Sequence, residues 1–186
     1  TLKAFAPVLR ETLAKATENA EVTDENPIKV YALRVKASLF GHNHPGMPKY
    51  TRDEQGMITV QEFTSPTLND LWSGMTNLQG LEKVAIDPQD EQAKPGDWAV
   101  IERPVLDPNN EVTGRTHSVH EVLDAEAVSM SALGFSAKVS LLTVKKRWLA
   151  ELDEGDVRIL LASTPLLRQT VVYTRSEDLE LAEEPI

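Results

Sequence analysis

The chain has 186 residues, 41% of them hydrophobic, which is enough to bury one sizeable core and too little to suggest two independent ones. Its 29 acidic and 19 basic residues give a formal net charge of -10, a sign that repels a phosphate backbone and disfavours generic nucleic-acid binding. There is no cysteine, so a disulfide framework and a thiolate zinc cage are excluded, and no apolar run approaches the roughly eighteen residues of a membrane span.

These features lead to the expectation of a protein of a reducing, cytoplasmic compartment, or of an assembly stable without crosslinks, rather than a secreted or membrane one. The opening Thr1, without a methionine, fits loss of an initiator or of a leader.

Leu2, Phe5, Leu9, Leu13 and Ala16 recur at helical spacing, so residues 2–19 are expected to form an amphipathic helix, followed by a polar, acidic connector over 18–27. Residues 28–40 alternate Tyr31, Leu33, Val35, Ala37 and Leu39 with Ala32, Arg34, Lys36 and Ser38, the pattern of a half-buried strand. The turn formers of 41–48 and the polar run 51–56 predict a long loop, with a second strand at 57–63 closing a hairpin on the first. Ser65-Pro66 would cap a short helix bearing Leu68, Leu71, Trp72, Met75 and Leu78 on one face, with Gly80 as its stop.

Lys94-Pro95-Gly96-Asp97 reads as a turn into a strand at 98–105, and Asp107-Pro108-Asn109-Asn110 as the turn of a β-hairpin returning through Val112. From 116 to 133 two patterns compete. Ser118 and Glu121 fit a capping box, while 112–122 alternates as a strand, so strand first and then helix or loop is the expectation. Residues 135–144 alternate clearly, and 157–161 and 170–174 are β-prone.

Six or seven strands with two or three helices, without βαβ alternation or internal repeat, predict a β-rich α+β fold: one domain with an antiparallel sheet or small barrel, flanking helices and extended terminal arms. The expected organisation is a helix and linker over 1–27, a core over 28–175 and an acidic arm over 176–186. From Glu151 onward, nine acidic residues face three basic ones, a net of -6.

The four histidines form two close pairs, His42-Asn43-His44 and His117-Ser118-Val119-His120. Imidazoles of this kind could hold one transition metal ion, with Asp53, Glu54 or Glu121 as carboxylate candidates. His117 and His120 share a face only on a helix, since on a strand a three-residue spacing sends them to opposite faces.

His42-Asn43-His44-Pro45 resembles the His-x-His-Pro core of the JAMM-type zinc hydrolases, which implies a hydrolytic zinc site. The chain departs from that pattern, with Thr51 where the family has serine and Asp53 only nine residues after His44. The same His-x-His, with Pro95-Gly96-Asp97-Trp98-Ala99-Val100-Ile101 and a later histidine, is similar to a cupin barrel. Here the glutamate implied shortly after His44 is absent, Glu54 lying ten residues on.

Phosphate-binding glycine loops, a nucleophile elbow and a dinucleotide fingerprint are absent from the sequence. Lys145-Lys146-Arg147-Trp148 joins positive charge to a stacking ring, and Glu183-Glu184-Pro185-Ile186 resembles the acidic tip of single-stranded-DNA-binding proteins, which implies an OB-fold strand binder.

A function without catalytic residues or a cofactor accounts for most of these features together. The leading expectation is a structural or assembly module, partnered by itself or by other subunits and not by membrane or nucleic acid. Its concrete form would be a virion or phage-tail component, because residues 34–42 and 96–100 resemble the small OB-like barrels of tail hub and baseplate proteins. A metal-dependent enzyme and a strand binder are the alternatives.

Overall fold

A computed structural model describes residues 29–72, 80–150 and 152–179. The expected helix over 2–19, its connector and the tip of the acidic arm lie outside the described residues. Residues Ala32–Glu177 form one compact unit.

Its body is β-rich, as the alternation patterns predict. Six strands close into an antiparallel barrel: β1 (Val30–Leu39), β4 (Lys83–Asp87), β5 (Trp98–Leu106), β6 (Val112–Ala132), β7 (Phe135–Val144) and β8 (Val171–Leu179). Around the barrel they follow the order β1-β4-β7-β6-β5-β8, and β2 (Met47–Arg52) pairs with β3 (Ile58–Thr64) in a separate two-stranded ribbon. Three short helices complete the described set: α1 (Leu68–Leu71), α2 (Glu154–Leu161) and α3 (Thr164–Gln169). No helix among the described residues is long and apolar enough to cross a membrane.

Alternation along the strands sends one set of side chains inward. Leu39, Ile86, Ala99, Ile101, Val122, Leu142 and Val172 are fully buried in the core. Leu68, Trp72, Leu81, Trp148, Leu166 and Leu167, from the short helices and the segments around them, join the same cluster. The Trp72 indole N–H donates to the Phe40 carbonyl at 3.2 Å, so its one polar atom is satisfied although the ring is buried.

Several local expectations are corrected by long-range pairing. The strand at 28–40 does not close a hairpin with the strand at 57–63. Instead, β1 pairs with β4 through Ser38↔Asp87 and Leu39↔Ile86, while β3 pairs with β2, which the turn formers of 41–48 had concealed. The helix after Ser65 is capped two residues later, by Thr67, whose backbone N–H and hydroxyl both donate to Asp70 at 2.8 Å.

The β-prone run 157–161 is helical. Val157, Leu160 and Leu161 bury one face of α2, and Asp153 caps it by accepting from the Asp156 N–H at 2.8 Å. Strand β6 continues through 116–132 without the expected helix.

A buried ion pair ties the loop after β4 to β8. The Asp90 side chain is 0% exposed and accepts from Arg175 Nη2 at 2.7 Å, while the Asp90 backbone N–H donates to Ser140 Oγ at 2.8 Å. Arg175 itself sits at φ 57°, a left-handed kink in β8.

Gly41 ends β1 at φ +84°, and a β-carbon there would overlap the Leu71 side chain. Gly56 has nearly the same backbone, φ +83°, with nothing close to a β-carbon. Gly41→Ala should therefore carry both backbone strain and overpacking, about 2–4 kcal/mol, while Gly56→Ala should carry only the strain of about 1 kcal/mol. Thermal unfolding of the two variants, compared with the parent chain, checks this difference.

Candidate functional site

Strand β6 changes partner in its middle. Over its first half it pairs with β5, from Leu106↔Val112 to Trp98↔Glu121, and over its second half with β7, from Val122↔Val144 to Ala132↔Phe135. At the changeover the start of β5 and the end of β7 meet the middle of β6. Gly96 N–H donates to the Val122 carbonyl and Val122 N–H to the Asp97 carbonyl, both at 2.8 Å, while Lys145 N–H donates to the Glu121 carbonyl at 3.0 Å.

A cavity of about 280 Å³ opens at this junction, lined by Trp98, Val119, His120, Glu121, Lys145 and Lys146. Trp98 and Glu121 are directly opposed across the β5–β6 ladder, so they share a face with Val119. Lys145 Nζ donates to Glu121 Oε2 at 2.6 Å. Among the described residues Lys146 has no ion-pair partner. The His120 ring is 6% exposed, and its Nε2 lies 2.8 Å from Ser118 Oγ.

The basic run singled out in the sequence is thus divided by the fold. Lys145 and Lys146 line the cavity, Arg147 is exposed, and Trp148 is buried in the core at 2% exposure, so its ring is not offered for stacking. Trp98 supplies the indole beside the lysines instead. Sequence reasoning did not select it, because only the register that opposes it to Glu121 places it there.

The other histidines do separate work. His44 pins the loop after β1 to the tip of the β6–β7 hairpin: Gly46 N–H donates to its Nδ1 at 3.1 Å, and its Nε2 lies 3.4 Å from the Leu133 carbonyl. Its ring stands edge-on to Phe135, and Arg168 Nη2 donates to its carbonyl at 3.2 Å. His42 Nδ1 lies 3.1 Å from the Leu39 carbonyl. Among the described residues no group of three or more His, Asp or Glu side chains is placed to hold a metal ion, so the two pairs are not joined into one centre.

No known protein family, characterised protein or solved structure matches the chain.

A second polar cluster stands on the barrel wall, across β5, β6 and β8. Glu102 accepts from Arg115 Nη1 at 2.6 Å, its other oxygen lies 3.1 Å from His117 Nε2, and the Tyr173 hydroxyl reaches it at 3.5 Å. Burial alone would push the Glu102 carboxyl up, but the hydrogen bonds and charges of Arg115 and His117 outweigh that and hold it below its ordinary value of 4.5. The arrangement neutralises one carboxylate and braces three strands. A cavity of about 390 Å³ lies elsewhere, between the β5–β6 turn and α2, with Val105, Leu106, Ile159 and Leu160 in its wall.

A carboxylate with a lowered folded pKa stabilises the fold above its unfolded pKa and loses that contribution as pH falls through the folded value. Glu102→Gln should therefore cost roughly 0.5–1 kcal/mol at neutral pH, and the difference from the parent chain should shrink as pH falls below 4.5 and through the lowered folded value. Thermal unfolding of both proteins across that range measures the window.

Proposed function

We propose that this protein is a non-enzymatic assembly module that associates with further copies of itself through the β2–β3 ribbon. The observation that carries this reading is the apolar face the ribbon presents to solvent. Tyr50 is opposed to Val60 and Arg52 to Ile58, so Tyr50, Ile58 and Val60 share one side, at 64%, 61% and 51% exposure. Met57, at the turn, is 63% exposed. A two-stranded ribbon is marginal alone, and three or more strands with an apolar face are needed for independent stability.

Among the surfaces a second copy could meet, charge opposes the ribbon least. Two chains of net charge -10 repel each other over most of their surface. Residues 47–64 are close to neutral, with Lys49 and Arg52 against Asp53, Glu54 and Glu62, so the repulsion is least where the apolar side chains are exposed.

Area limits what the ribbon does alone. Strands of this length cover a face of ~20 Å by ~10 Å, well short of the roughly 800 Å² per partner of a standard interface. The ribbon therefore acts as an anchor that sets register, and the amphipathic pattern of residues 2–19 is the sequence's candidate for the remaining area. The concrete form of a virion or phage-tail subunit rests on the resemblance of residues 34–42 and 96–100; the barrel itself has six strands where an OB fold has five.

Native mass spectrometry and light scattering of the full chain test the proposal. The parent chain should form an oligomer, and Ile58→Lys with Val60→Lys should weaken association by roughly 30-fold or more while leaving the barrel's unfolding temperature nearly unchanged. A monomeric parent chain, or an oligomer indifferent to the double substitution, would overturn it.

A further inference from the structure

We infer that the cavity at the β6 changeover is a binding site for a compact aromatic anion, a flat ring carrying one phosphate or carboxylate group. Three features of the lining select that chemistry. The Trp98 indole and the Val119 side chain give an apolar wall on which a ring can stack. Lys145 and Lys146 bring two ammonium groups to the same cavity, and only one of them is matched there, by Glu121. The strand register adds the third feature: Trp98, Val119 and Glu121 stand on one face, with His120 turned to the other, so the ring-stacking wall and the charged group meet a ligand from the same side.

Charge and size narrow the ligand further. On a chain of net charge -10, an unmatched Lys146 makes this cavity a locally favourable place for an anion, while the surrounding acidic surface opposes a long polyanion. The volume of about 280 Å³ stands at the lower edge of ordinary ligand pockets, so it admits one ring with one charged group and not a dinucleotide.

The backbone supports this role. Lys145 is fixed by its N–H to the Glu121 carbonyl and by its ammonium to the Glu121 carboxylate, so it is positioned before any ligand arrives. Lys146, the next residue in the bend after β7, is then the group that meets the anion, with Trp98 holding the ring. The site owes nothing to the ribbon, so it stands or falls independently of self-assembly.

Isothermal titration of the full chain with phenyl phosphate, benzoate, inorganic phosphate and benzyl alcohol separates the contributions, and the Trp98 indole N–H resonance, assigned with Trp98→Phe, locates the binding. Phenyl phosphate or benzoate should bind and move that resonance, at least tenfold more tightly than either inorganic phosphate or benzyl alcohol. Lys146→Gln, an exposed substitution, should weaken the aromatic anion by roughly tenfold, and Trp98→Ala by a similar factor, with unfolding temperatures confirming that both variants fold. Phenyl phosphate preferred over benzoate would mark the phosphate ester as the ligand class, and the reverse order the carboxylate; either outcome supports the site. An unmoved Trp98 resonance at about 10 mM of every probe, affinity equal for the ring-free and ring-bearing anions, or Lys146→Gln binding like the parent chain would overturn it.

Discussion

The barrel depends on one strand that is long enough to serve two neighbours in turn. Strand β6 runs 21 residues, and its first half hydrogen-bonds to β5 on one edge while its second half bonds to β7 on the other. The register shifts between Val122 and Asp124, where the changeover occurs, and such a bulge tightens local twist and bends the strand. A flat sheet with these pairings would have two ragged ends. Bending at this point lets the same six strands close on themselves, so the core of Ile86, Ile101, Leu142 and Val172 is sealed on all sides. The hydrogen bonds from Gly96, Val122 and Lys145 fasten the bend, and the lined cavity lies where the start of β5 and the end of β7 meet the middle of β6.

Much of the local pattern was legible. The alternation in 28–40, 98–105 and 135–144 describes β1, β5 and β7, and the Asp107-Pro108-Asn109-Asn110 turn sits where β5 passes into β6. What misled was local ambiguity settled by distant partners. Val157, Leu160 and Leu161 are apolar in a run short enough for strand or helix, and the Asp153 cap with the burial of one face decides for helix. Conversely, Ser118 and Glu121 offer a capping box that the β5 ladder overrides, pairing Ile101 with Ser118 and Trp98 with Glu121. Strand β2 was hidden because Pro45, Gly46 and Pro48 read as loop, yet a ribbon outside the barrel tolerates a proline that a central strand would not.

The candidate site was half legible for the same reason. Lys145 and Lys146 stand out as a charge cluster within an acidic chain, but their aromatic neighbour is Trp98, 47 positions earlier, and not the adjacent Trp148. The histidine pairs are divided by the fold as well. His117 and His120 stand on a strand, where a three-residue spacing is expected to send them to opposite faces, and each of the four rings has its own partner: the Leu39 carbonyl, the tip of the β6–β7 hairpin, the Glu102 carboxylate and the Ser118 hydroxyl. His44 uses both ring nitrogens, bridging the Gly46 N–H and the Leu133 carbonyl of two separate backbone segments.

If copies associate through the ribbon as proposed, its edges decide how they add together. Each of its strands has one ladder edge occupied by the other and one edge without a strand partner in the ribbon sheet, and the two outer edges are chemically different. If like edges meet, β2 to β2 or β3 to β3, the contact is two-fold symmetric and consumes itself, giving a closed pair. If β2 of one copy meets β3 of the next, every addition exposes a fresh edge and growth continues as a filament. Under the proposed self-association, the side chains along those edges, with Pro48 on β2 removing one backbone donor, would choose between a particle of fixed size and a polymer of indefinite length.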